Sequence, residues 1–118
     1  MARDAAVVAR WGSSIPGREA KSLEVFMEFL AFWGGHADAG RCSLPEPFFA
    51  VNGSGGMAVI HGKSDVLSEI VFSEESEKIV GKGTMIVNDL RVELYFAGDE
   101  IMRGTQLFVE AGTELGFM

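Results

Sequence analysis

The stretch PFFAVNGSGGMAVIHGKSDVL, Pro47–Leu67, decides the fold. Two strand-like apolar runs, Pro47–Asn52 and Met57–His61, are joined by Asn52-Gly53-Ser54-Gly55-Gly56. Those glycines supply the positive-φ positions that a hairpin needs. Ser64 then stands as a cap for a helix whose apolar members are Val66, Leu67, Ile70 and Val71. Upstream of the hairpin, a strand-like run, Ala5–Trp11, precedes a helix-like run, Gly17–Trp33. Downstream, the helix from Asp65 to about Val80 leads to an alternating strand, Asp89–Ala97. The order is strand-helix-strand-strand-helix-strand. It predicts an α+β protein with a ferredoxin-like βαββαβ unit and a four-stranded antiparallel sheet. A further C-terminal helix, Met102 to about Leu115, carries Leu107, Phe108, Ala111 and Leu115.

The 118 residues suffice for one domain with a real core, spanning residues 1–118. The net charge of −7 disfavours nucleic acid and anionic membranes as partners, and no Lys/Arg cluster offsets it. A single cysteine, Cys42, makes no internal disulfide. No long apolar segment suggests a leader or a membrane span, so a cytoplasmic location is expected.

Ser13 and Ser14 both qualify as caps for the first helix, and Pro16 suits its first turn. In that helix Leu23, Phe26, Met27, Leu30 and Trp33 follow the i, i+3, i+4, i+7 rule and should face the sheet. Val25, Phe29 and Phe32 fall on another side, leaving apolar surface for something else to cover. Gly34-Gly35 and Gly81-Lys82-Gly83 read as helix stops, and Ser73–Lys78 as a solvated face of the second helix. On the last strand Leu90, Val92, Leu94 and Phe96 share one face, with Arg91, Glu93 and Tyr95 on the other. Leu23, Phe26, Leu30, Leu90, Val92, Leu94 and Phe96 are the expected core. The helices of such a unit cover one sheet face, so the other is solvated or meets a partner.

Arg10–Glu19, Pro47–Ala50 and His61–Leu67 give the chain its likeness to a known group. It resembles the dimeric α+β barrel superfamily, and within it small uncharacterised actinobacterial members. The resemblance implies a homodimer whose sheets pair face to face, and a cavity beside the sheet for a small molecule. The superfamily includes cofactor-free monooxygenases, haem-degrading enzymes, lactone isomerases and proteins without known activity. The haem degraders' Asn, Trp and His are not matched in spacing by Asn52, Asn88, Trp11, Trp33, His36 or His61, so no haem role carries over.

Candidate chemistry is sparse. His61, at a strand end beside a glycine, is the weak catalytic candidate. A neutral imidazole there could act as a general base, or simply bond a nearby carbonyl. Arg10, His61, Glu93 and Tyr95 are the candidate ligand-binding residues, on the face no helix covers. An ion pair between Glu93 and Arg10 or Arg91 is one reading of that face; a cross-strand pair at a dimer interface is the other. His36 with Asp38 is too few for a metal, and Cys42 completes no known spacing, so neither metal nor cofactor is expected. Cys42 reads as a small buried hydrophobe. The glycines at 53–56 lack a following helix and a Lys-Ser/Thr ending, so they form a turn and not a phosphate cradle. Trp11 and Trp33 read as packing residues.

The functional expectation is a homodimer that binds an apolar small molecule. The alternatives are a cofactor-independent monooxygenase or isomerase acting on an apolar or aromatic molecule, and a structural or regulatory dimer without a ligand. The expected pocket lies between the uncovered sheet face and the first helix.

Overall fold

The computed structural model describes residues 2–118. Eight elements follow one another: β1 (Asp4–Trp11), α1 (Glu19–Asp38), β2 (Glu46–Phe49), β3 (Gly56–Lys63), α2 (Ser64–Val71), α3 (Glu74–Thr84), β4 (Arg91–Phe96) and α4 (Glu100–Glu114). The strands form one antiparallel sheet in the order β2-β3-β1-β4. This is the ferredoxin-like α+β arrangement that the order of apolar runs predicts, with α4 added after it.

Register sorts the side chains. Val7 of β1 stands between Ile60 of β3 and Leu94 of β4, and Ala9 between Ala58 and Val92. Directly opposed residues share a face, so these residues line one side of the sheet. That side carries the core. Ala5, Val7 and Ile60 pack with Phe32 and Trp33 of α1, Leu67 and Ile70 of α2, and Ile79 of α3. Ala6, Val8 and Arg10 face the opposite side, beside His61, Val59 and Met57 of β3 and Tyr95, Glu93 and Arg91 of β4. Ala6 and Val8 are buried there although none of α1, α2 and α3 lies over them. They are short, and they sit in troughs between longer cross-strand neighbours.

Several expectations need correction. The expected core is wrong in part: Leu23 is 62% exposed, and Leu94 and Phe96 are exposed as well. Phe26, Leu30, Leu90 and Val92 are only half-buried. In α1 the inward side is Phe29, Phe32 and Trp33, so Leu23 and Met27, rather than Phe29 and Phe32, carry the spare apolar surface. Apolar residues surround this helix, and periodicity could not select one stripe among them. Leu94 and Phe96 have the correct face, but they lie on an edge strand beyond the reach of α1, α2 and α3.

Helix boundaries moved too. Neither Ser13 nor Ser14 caps α1: its cap position is Arg18, without a side-chain bond. Ser64 is the first residue of α2, and its hydroxyl accepts from the Arg3 N–H instead. Gly34-Gly35 stay inside α1, which continues to Asp38. Gly81 and Gly83 likewise stay inside α3. The expected helix from Asp65 to Val80 is two helices, broken at Phe72-Ser73. Ser73 caps α3: its Oγ accepts from the Ser76 N–H at 3.3 Å and donates to the Ile70 carbonyl at 2.7 Å. Glu74, Glu75 and Glu77 then occupy the first turn of α3, where the helix dipole favours them.

Candidate functional site

The main cavity lies on the helix-covered side of the sheet. It is a partly open cleft of about 330 Å³, bordered by β1, α1, α3, the β2–β3 turn and the segment before β4. Three aromatic rings form one wall. Trp11 and Phe26 stand 5.8 Å apart between centroids, Phe26 and Phe49 5.3 Å, and Trp11 and Phe49 6.4 Å. All three pairs are tilted or edge-on, the geometry that ring quadrupoles favour. Phe29, Ile79 and Val92 are among the aliphatic and aromatic groups that complete the lining.

Local sequence explains how the rings are held. Trp11 is the last residue of β1, opposite Gly56. A side chain on Gly56 would run into the Phe48 carbonyl and the Trp11 ring, and one on Gly55 would strike the Trp11 carbonyl. Gly55 also has φ +133°, which L side chains rarely adopt. The hairpin glycines therefore serve two purposes, the turn itself and the seating of Trp11. Gly83 does the same in α3, because a Cβ there would come within 2.6 Å of the Leu90 side chain.

One end of the cavity is tied by backbone. Gly12 N–H donates to the Asn88 carbonyl at 2.7 Å, Asn88 N–H to the Ser13 carbonyl at 3.0 Å, and Ile15 N–H to the Ile86 carbonyl at 2.8 Å. The Asn88 amide adds a bond to the Ser13 carbonyl at 3.1 Å. Polar side chains in the lining are Ser13, Ser14, Glu19 and Ser22. The Ser22 hydroxyl is already spent on the Arg18 and Ile86 carbonyls. Glu19 is the one ionisable group in this lining, and its Oε1 accepts from the Gly17 N–H at 3.2 Å. The site can therefore enclose an apolar molecule and offer few polar contacts at its rim. Its acid–base means are limited to one carboxylate.

Arg10, His61, Glu93 and Tyr95 lie together on the sheet face opposite the core, and none of them lines this cavity. The expected pocket between that face and the first helix does not exist, because α1 packs against the other side. His61 and Tyr95 flank Ala6, and Glu93 opposes Val8. Glu93 accepts from the Tyr95 hydroxyl at 3.0 Å, and makes no ion pair with Arg10 or Arg91 among the described residues. Arg10 and Arg91 directly oppose each other, a like-charge pairing that costs stability unless an acid meets it.

His61 is exposed and borders a shallow depression with Arg41, Cys42, Ser43 and Lys63. Its backbone N–H donates to the Ser43 hydroxyl at 2.8 Å. Burial raises the Cys42 thiol above its ordinary range, with the Arg41 charge pulling the other way, so nothing here activates it. His36 accepts through Nδ1 from Arg41 at 3.0 Å and stands edge-on to Phe32; Arg41 also pairs with Glu69 at 3.0 Å. The described residues hold no group of three metal-ligating side chains. None of their helices is long and apolar enough to cross a membrane.

Solved structures share this fold. Rv0793 from Mycobacterium tuberculosis, an actinobacterial protein, superposes with a TM-score of 0.66 at 13% identity, over 81% of this chain and 96% of that one. A protein named antibiotic biosynthesis monooxygenase gives 0.59 at 16% identity, over 80% and 98%. A dimeric protein of unknown function and ferredoxin-like fold from Bacteroides fragilis gives 0.54 at 10%, over 80% and 96%. The fold is ferredoxin-like, as in these solved structures. At such identities the likeness concerns fold alone. No family model and no curated protein matches the chain.

Little in the sequence points to this cavity. Trp11, Phe26 and Phe49 lie in separate elements, and each reads by itself as a packing residue. The available signal was the pair Gly55-Gly56 opposite the end of β1, one glycine more than a tight turn needs.

Proposed function

We propose that this protein binds an apolar small molecule in the cavity between the sheet, α1 and α3, and that it does so as a homodimer. The observation that supports binding is the cavity of about 330 Å³ walled by Trp11, Phe26 and Phe49. That volume falls at the lower end of small-molecule sites, which combine an apolar wall with a few polar groups. An aromatic ligand suits the tilted rings. Binding is favoured over turnover because Glu19 is the only ionisable side chain in the lining among the described residues.

The dimer reading rests on the uncovered sheet face. Among the described residues Arg10 and Arg91 stand opposed there without an acidic partner, while Glu93 and Glu46 lie on the same face. A two-fold copy can set each arginine pair against the other protomer's glutamates. In this reading Arg10, His61, Glu93 and Tyr95 face the partner, and a ligand touches them only between the two sheets. A cofactor-independent monooxygenase or isomerase is the second reading. It draws on the fold shared with the antibiotic biosynthesis monooxygenase and needs Glu19 as its base.

The test uses the neutral fluorophore 1-N-phenylnaphthylamine. Val25→Trp, which fills the cavity from α1, should abolish saturable binding while His61→Ala leaves it intact. Equal affinity in wild type and a folded Val25→Trp protein would place the ligand elsewhere.

A further inference from the structure

α4 buries none of its residues. Ile101, Met102, Leu107, Phe108, Val109 and Leu115 are 46% to 71% exposed. At 100° per residue they fall on one broad side, together with Gly104 and Ala111, while Arg103, Gln106, Glu110 and Glu114 fall on the other. The tail extends this surface, with Phe117 83% exposed. Helices of about 15 residues are marginal in water without an apolar face to bury. α4 touches its own protomer mainly at β4, where Phe96, Leu107 and Phe108 border one small cavity. Arg3, Glu100 and Arg103 close that end with ion pairs at 4.0 and 3.6 Å. The rest of the helix projects, and the molecule is 52 Å in its longest dimension.

We infer that α4 is an arm that closes its apolar side against a second copy of this chain. The inference rests on the homodimer reading above. Three observations choose this occupant. First, the exposed apolar area of α4 and its tail amounts to roughly 400–700 Å² per protomer. That reaches the upper end of the patches that monomers expose, about 300–600 Å², and approaches the ~800 Å² that each partner gives to a standard interface. Leu94 and Phe96, both exposed on one face of the edge strand β4, can supply the remainder. Second, α4 leaves β4 within four residues, so the arm starts from an edge strand of the sheet whose uncovered face is proposed to meet the partner. Third, the polar side carries Glu110 and Glu114 with Arg103 as its one cation, which does not suit an anionic bilayer.

Sedimentation of the full chain from 1 to 100 μM (about two decades of concentration) reads the inference directly. Wild type should be a dimer, and Phe108→Glu/Leu115→Glu should weaken the dimer at least about a hundredfold, as loss of central apolar anchors does. Its circular dichroism and cavity binding of 1-N-phenylnaphthylamine should persist, because α4 contributes nothing to the core. Hydrogen exchange in wild type supplies a readout without mutation: amides of 100–114 should gain protection as concentration rises through the dimer range. A double variant that dimerises like wild type, or protection in α4 independent of concentration, overturns the arm while leaving the homodimer standing. A monomeric wild type overturns both. Wild-type binding to phosphatidylglycerol vesicles that the double variant loses would replace the second copy with a membrane.

Discussion

Ile60 and Leu94 offer a controlled test of how the helices cover the sheet. Both oppose Val7, one from each side, so both project from the same face. Ile60 is 0% exposed and Leu94 41%. The difference is positional: β3 lies under α2, while β4 is an edge strand that these helices do not reach. Ile60→Ala removes fully buried methyl groups and leaves a cavity among Val7, Leu67 and Ile70, which should cost about 2–5 kcal/mol. For Leu94→Ala, complete burial of a leucine is worth roughly 1.5–3 kcal/mol, and the fraction buried in the protomer scales this to about 1–2 kcal/mol. Urea unfolding at one low protein concentration, where the monomer dominates, gives both values from the midpoints. Repeating it at high concentration isolates any contribution of a partner, since Leu94 is free to gain contacts and Ile60 is not. If the two substitutions cost the same at low concentration, the argument that α2 and α3 stop short of β4 is wrong.

Other outcomes follow from single contacts. The Lys63 ammonium hydrogen-bonds and attracts Asp4, holding the Asp4 carboxyl below its ordinary 3.8 and the Lys63 amine above its ordinary 10.5. The Asp4 contribution to stability is present above 3.8 and lost as pH falls through the lowered folded value; the Lys63 contribution is present below 10.5 and lost as pH rises through the raised one. Carboxyl NMR titration should show Asp4 returning towards 3.8 in Lys63→Met, and an unchanged Asp4 would refute the pairing. Gly55→Ala should cost at least about 1–3 kcal/mol from backbone strain. It should also weaken 1-N-phenylnaphthylamine binding, because the new Cβ displaces the Trp11 backbone; a neutral effect on both would mean that Gly55 does not seat Trp11.

The sequence by itself determined the order of the elements, the hairpin and the two faces of β4. These are local properties. Alternation in 90–96 has a period of two whatever surrounds it, and Gly53, Gly55 and Gly56 need no distant contact to mark a turn. It did not fix the parity of β1 and β3, because Ala5–Ala9 and Met57–Ile60 are apolar at every position; strand pairing brought Arg10, His61, Glu93 and Tyr95 to one face. Tertiary structure decided the rest. α1 carries apolar groups around most of its circumference, and only packing in the core with Val7 and Ile60 set Phe29 and Phe32 inward beside Trp33. Gly34 and Gly35 did not stop α1, since a helix already anchored by its buried neighbours tolerates a glycine's cost of about 1 kcal/mol. The cavity was hidden for a similar reason. Its wall is assembled from Trp11, Phe26 and Phe49, which are distant in sequence, and a void is a property of how elements fail to fill space together.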